Sequence, residues 1–251
     1  MITYAALSPH PPLIVPEIGG ERIKDVSLTV EGMRKLAHEL VESRPQALVF
    51  LTPHGNVFSD CISALAEPHL EGDFSHFGNK WGTSCMNDSE LLIEIERGAA
   101  QAGIPFLEVS RNNARSYRLN TKLDHGILVP FYYFKEAGLP EIPILAISIG
   151  NLSVLELYTF GIVIKAAAES LGKRTALVAS GDMSHHLKNE GPYDFHPDGP
   201  KFDQAIKTGL ERIDLAGIIN MPEKLRDNAG ECGYRSIVIM LGAMDGQKIK
   251  F

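Results

Sequence analysis

Cysteine is scarce in this chain: Cys61, Cys85 and Cys232 are the only three in 251 residues. An odd, sparse set speaks against a disulfide framework and fits a reducing compartment, here taken as the cytoplasm. Long apolar runs are missing too. No stretch approaches the ~18–20 residues of a membrane span. The opening MITYAALSPHPP has neither the basic start nor the apolar length of a secretory leader. No block of Lys and Arg occurs and the formal net charge is −7, which argues against a nucleic-acid partner. There is no repeat of roughly 20–50 residues, and no Gly/Ser-rich or Pro-rich linker divides the chain. One domain over residues 1–251 is the economical organisation.

Apolar runs at 47–52 (ALVFLT), 142–149 (IPILAISI) and 175–180 (TALVAS) lack polar alternation, which predicts strands covered on both faces. Shorter runs at 2–7 and 62–66 read as further strands. Helical spacing of apolar residues covers 26–42. Asp88 or Ser89 caps a helix running to Ala102, and Asp124 caps one from His125 to Glu136 that Gly138 ends. A mostly apolar helix fills 152–171 and stops near Gly172, and a last buried helix covers 234–244. Strands alternating with helices predict the α/β class, as a three-layer α/β/α sandwich around a mostly parallel or mixed central sheet. Strand order is not legible. Two polar stretches, 67–90 and 183–200, read as long loops, and such length inside a compact domain points to a site.

Nine histidines are present, and three groups stand where an expected strand ends. They are Ser8-Pro9-His10-Pro11-Pro12, Pro53-His54-Gly55 and Gly181-Asp182-Met183-Ser184-His185-His186. Ligands of open α/β sheets bind beyond the carboxyl ends of strands, so parallel neighbours would bring these groups together. Imidazole suits Fe, Zn or Cu, and a further His serves as acid or base near neutral pH. One such His alone is more often a loop or cap residue; three strand exits sharing the feature favour a metal-type site. His38 reads as part of a solvated helix face, and His69, His76 and His196 as surface loop residues.

The remaining candidates each carry two readings. Glu231 is an oxygen ligand or a first-turn acid favoured by the helix dipole. Cys232 is a low-pKa thiolate at a helix start or a small buried apolar residue. Asp182 orients an imidazole or caps a helix. His125, at a helix N-terminus, is expected to stay neutral and to donate a hydrogen bond to a ligand. Arg115, Arg118 and Lys122 attract an anionic substrate or form a solvated basic loop, the commoner outcome. Cys61 and Cys85 show no metal spacing and read as structural.

The order of these motifs resembles the LigB superfamily, the catalytic-subunit fold of class III extradiol ring-cleaving dioxygenases. The matching pieces are Ser8-Pro9-His10-Pro11, Pro53-His54-Gly55, Asp124-His125-Gly126, Ser180-Gly181-Asp182-Met183-Ser184-His185 and the Glu231-Cys232 start of the last helix. The resemblance implies one non-haem Fe(II), for which Zn can substitute, held by His10, His54 and Glu231. It implies His185 as the acid/base, His125 as a second catalytic pocket histidine, and a small catechol-type substrate cleaved with O₂. Asp182 and His186 would line the pocket. The stretch Glu231-Cys232-Gly233-Tyr234-Arg235-Ser236-Ile237 is similar to the MEMO branch, where a cysteine takes the glutamate's place. Cys232 is then the alternative third ligand, in a metal or redox site or a peptide-binding pocket without ring cleavage. A zinc hydrolase working through a metal-bound water is a further alternative. A homo-oligomer is compatible with each.

Overall fold

A computed structural model describes residues 1–190 and 192–249. The strands are β1 (Ile2–Ser8), β2 (Ala47–Thr52), β3 (Ile62–Leu65), β4 (His69–Asp73), β5 (Gly82–Met86), β6 (Phe106–Val109), β7 (Ile144–Ser148) and β8 (Thr175–Ser180). The helices are α1 (Pro16–Gly19), α2 (Ser27–Glu42), α3 (Ser89–Gln101), α4 (Arg111–Tyr117), α5 (His125–Glu136), α6 (Val154–Ser170), α7 (Asp198–Arg212), α8 (Leu215–Ile219), α9 (Glu223–Ala229) and α10 (Tyr234–Ala243). The main sheet runs β1-β8-β2-β7-β3-β6. β1, β8, β2 and β7 are parallel; β3 lies antiparallel to β7, and β6 parallel to β3. This is the expected α/β sandwich with a mixed, mostly parallel sheet.

The unbroken apolar runs are explained by burial on both faces. Every residue of β2, β7 and β8 is buried. Successive side chains point to opposite sides, so Val49, Leu51, Ile147 and Leu177 enter one core with Leu91, Phe160, Phe202 and Ile237 of α3, α6, α7 and α10. Leu48, Phe50, Ala146 and Val178 enter the other with Met33, Leu40, Phe131 and Phe134 of α2 and α5. The expected caps form: Asp88 accepts from Leu91 N and Asp124 from Gly126 N. Gly138 and Gly172, in the left-handed region, follow α5 and α6.

The stretch 67–90 is not all loop. It contains the antiparallel hairpin β4–β5, in which Leu70 and Cys85 turn inward while most of their neighbours face solvent. Strands this short and this exposed leave little apolar signal. β6, α4, α7, α8 and α9 also go beyond the elements legible in sequence. Among the described residues no helix is long and apolar enough to cross a membrane.

Candidate metal centre

The three strand exits meet because β1, β8 and β2 are parallel neighbours. Ser8 pairs with Ser180, and Leu51 with Ala179, so the carboxyl ends lie at one level. His10, His54 and Asp182 each stand two residues past a strand end. α10 joins them through a backbone contact: a Cβ on Gly181 would lie 2.1 Å from Gly233 Cα, so glycine is required there. The amides of Cys232 and Gly233 then donate to the Asp182 carbonyl at 3.3 and 3.1 Å. That pairing carries the Cys232 thiol to the β1 and β8 exits.

His10 is buried and its Nε2 lies 2.9 Å from Nε2 of the more exposed His54. Cys232 Sγ lies 3.7 Å from the same His10 nitrogen. The three potential ligand atoms are all within 4.8 Å of one another. Asp182, His185 and Cys232 form a second, overlapping group on the same criterion. The His125 ring stacks on His54 at 4.3 Å between centroids and meets His10 edge-on at 5.4 Å. Asp182 binds the cluster twice: its Oδ1 accepts from His10 N at 3.0 Å, and its own amide donates to Cys232 Sγ at 3.2 Å. Asp124 Oδ1 accepts from Thr52 Oγ1 at 2.7 Å, and Thr52 Oγ1 accepts from His54 N at 3.2 Å.

The family model of the catalytic LigB subunit of aromatic ring-opening dioxygenase matches residues 4–251. The chain belongs to the LigB family. Protein CA_C1420 of Clostridium acetobutylicum is 33% identical over 245 residues, 97% of this chain and 52% of that protein. The chain thus spans about half the length of this relative. The crystal structure of uncharacterized protein JW3007 from Escherichia coli K12 is similar with a TM-score of 0.58. It is 20% identical and the match covers 86% of this chain and 83% of that one, a likeness of fold.

Within this LigB chain, most of the sequence candidates converge. His10, His54, His125, His185, Asp182 and Cys232 belong to one cluster. Glu231 is not among the residues whose potential ligand atoms cluster here, whereas Cys232, the alternative third ligand, is. Its carboxylate accepts from Tyr234 N in the first turn of α10, with Arg226 and Arg235 nearby. The free amides at a helix start attract an acid, and that pull turns Glu231 away from the thiol beside it. His186 is also directed elsewhere. Its Nδ1 lies 2.6 Å from the Asp194 carbonyl and its ring packs on Gly230. His38, His69 and His76 are exposed, as are Arg115 and Arg118, while Lys122 pairs with Asp73 at 3.4 Å.

Four neighbours of the cluster carry no function in the sequence reading. Thr52 and Ser180 end β2 and β8 and bond to Asp124 and His10. Phe77 meets His125 edge-on at 5.6 Å, and Tyr193 stacks on His185 at 5.1 Å. Phe77 and Tyr193 come from the two long polar stretches, whose length was the available signal.

Burial sets the charge state of the cluster. It pushes His10 down to about 3, helped by His54, His125 and His185. Burial also lowers His54 and His125. His125 is therefore neutral as expected, with burial as the cause. These imidazoles offer lone pairs without first losing a proton near neutral pH. Burial pushes the Cys232 thiol up to about 12, and raises Asp182 and Asp124. A metal cation held by these residues would reverse that balance, because coordination deprotonates a thiol outright.

Proposed function

We propose that His10, His54 and Cys232 hold one transition-metal ion, and that the protein is a MEMO-like metal or redox member of the LigB family. The observation that carries this reading is the position of Cys232 Sγ, 3.7 Å from His10 Nε2, while Glu231 caps α10. The donors fit such an ion: two neutral imidazoles and a thiol, with ligand atoms within 4.8 Å of one another. Imidazole suits Zn, Cu and Fe, and thiolate shifts the preference toward Zn and Cu(I). A bound ion would supply Lewis-acid or one-electron chemistry at the mouth of the cluster. The chain's part is to hold the ligands: Asp182 ties the His10 backbone and the Cys232 sulfur to the β8 exit. Thr52 anchors His54, and His125 stacks against its ring.

A second reading, Fe(II)-dependent extradiol cleavage of a catechol with O₂, has its own support. Phe77 and Tyr193 flank His125 and His185, a setting for a flat ring beside two proton-handling imidazoles. His185 would take the catechol proton and His125 would donate to the bound substrate.

One experiment separates the readings. Metal-free protein is loaded anaerobically with Zn(II), Cu(I) or Fe(II), and stoichiometry is measured for wild type, Cys232→Ser and Glu231→Gln. One equivalent is expected in wild type and in Glu231→Gln, with loss in Cys232→Ser. Oxygen uptake by the Fe(II) form with a panel of catechols would move the assignment to ring cleavage. Retention of the metal by Cys232→Ser with loss in Glu231→Gln would overturn the thiolate reading.

A further inference from the structure

Helix α5 contains a proline in its interior, Pro130, four residues after Gly126. In an α-helix the carbonyl of residue i accepts from the amide of residue i+4. Proline has no amide hydrogen, so the Gly126 carbonyl lacks that partner. The Ser180 hydroxyl takes its place: fully buried at the end of β8, it donates to Gly126 O. The same oxygen lies 2.8 Å from His10 Nδ1. A hydroxyl has a single proton and two lone pairs. With that proton committed to Gly126, Ser180 can only accept from His10.

We propose that Ser180 and Pro130 are positioning residues that fix neutral His10 as its Nδ1–H tautomer and so leave Nε2 as the free donor atom. Nε2 is the nitrogen that faces His54 Nε2 at 2.9 Å and Cys232 Sγ at 3.7 Å. The line runs from the missing amide of Pro130 to the Gly126 carbonyl, the Ser180 hydroxyl and the two nitrogens of one imidazole. His54 Nε2 then carries the proton between the two rings in the metal-free protein, a proton that a bound ion would replace. The benefit of this tautomer rests on the proposed metal site; the tautomer itself is a property of the metal-free chain.

The test reads the two independently. In ¹⁵N-histidine-labelled, metal-free full-length protein, long-range ¹⁵N–¹H correlations report which ring nitrogen bears hydrogen. The His10 signals are identified by their loss in His10→Gln. Wild type is expected to show Nδ1–H. Ser180→Ala should shift His10 toward Nε2–H and weaken Zn(II) binding by about 10–100-fold, the range for losing a group that orients a ligand. Pro130→Ala gives Gly126 an amide partner and frees the serine. It should yield mixed tautomers and a smaller loss of affinity, with thermal stability equal to wild type or higher. That combination is one that mere loss of structure cannot produce, and it stands if Ser180→Ala does not fold. An Nε2–H wild type, or a folded Ser180→Ala still wholly Nδ1–H, would overturn the proposal. A wild type with the expected tautomer but no metal binding would sink the metal reading and leave this one standing.

Discussion

The two ends of the parallel strands handle polar groups in opposite ways. At the amino ends, unlike groups are matched. Lys173, just before β8, reaches Asp88 at 2.7 Å and Glu90 at 2.9 Å, and the Met1 ammonium donates to the Lys173 carbonyl at 2.7 Å. At the carboxyl ends, like groups are crowded. Two imidazole nitrogens face each other at 2.9 Å, a third ring stacks on one of the two imidazoles and meets the other edge-on, and burial with mutual repulsion holds His10 near 3. Groups that satisfy one another hold a fold together. Like groups gathered at one point are the arrangement that the proposed metal ion, entering between them, would use.

The sharpest way to break this contrast is to remove a proposed ligand. Cys232→Ser or His10→Ala should weaken metal binding by more than about 100-fold, beyond the effect of losing a group that only orients a ligand. Competition against a chromophoric chelator measures it, and wild-type affinity in both variants would reduce the cluster to structural histidines. Next comes the other end. Lys173→Met leaves the buried Asp88 carboxylate without its cation and should cost about 2 kcal/mol, less than a fully buried pair because Lys173 is partly exposed. Urea unfolding reads this directly.

The pH dependence of that pair has a definite sign. Burial by itself lowers Lys173, but hydrogen bonds to Asp88 and Glu90 outweigh it, and the net shift is upward. A raised folded value stabilises fully below the ordinary lysine value and is lost as pH rises through the folded one. The advantage of wild type over Lys173→Met should therefore be flat through neutrality and shrink only above about pH 10.4.

Smaller effects sharpen the distinction between adjacent residues. Glu231→Ala removes the carboxylate that caps α10 and should cost about 1 kcal/mol of stability. Metal affinity should stay unchanged; a large drop in titration calorimetry would restore Glu231 as a ligand. His186→Ala should be the mildest, within about 0.5 kcal/mol and without effect on metal, since its ring packs outside the cluster.

Much of this was legible from local pattern. β2, β7 and β8 announced themselves because burial on both faces erases polar alternation. Asp88 and Asp124 were readable as caps because that role needs only the next few residues. The β4–β5 hairpin was not readable, since only Leu70 and Cys85 carry its inward face. Ser180 belonged to a matching motif, yet no role for it was readable there. Its role needs Pro130 on a helix that packs beside β8, a relation between residues far apart in the chain.

Chain order alone is enough for the LigB resemblance, the strand-end histidines and the candidate pair Glu231 and Cys232. It is not enough for the choice within that pair. Neighbouring residues have the same local signals, and their directions follow from what each one meets. The Gly181–Gly233 contact and the Asp182 backbone bring the thiol into the histidine cluster, and the Tyr234 amide draws the carboxylate away. The carboxylate's contact is local, three residues along the chain, but those that place the thiol join segments about 50 residues apart and act only once β8 and α10 have packed together.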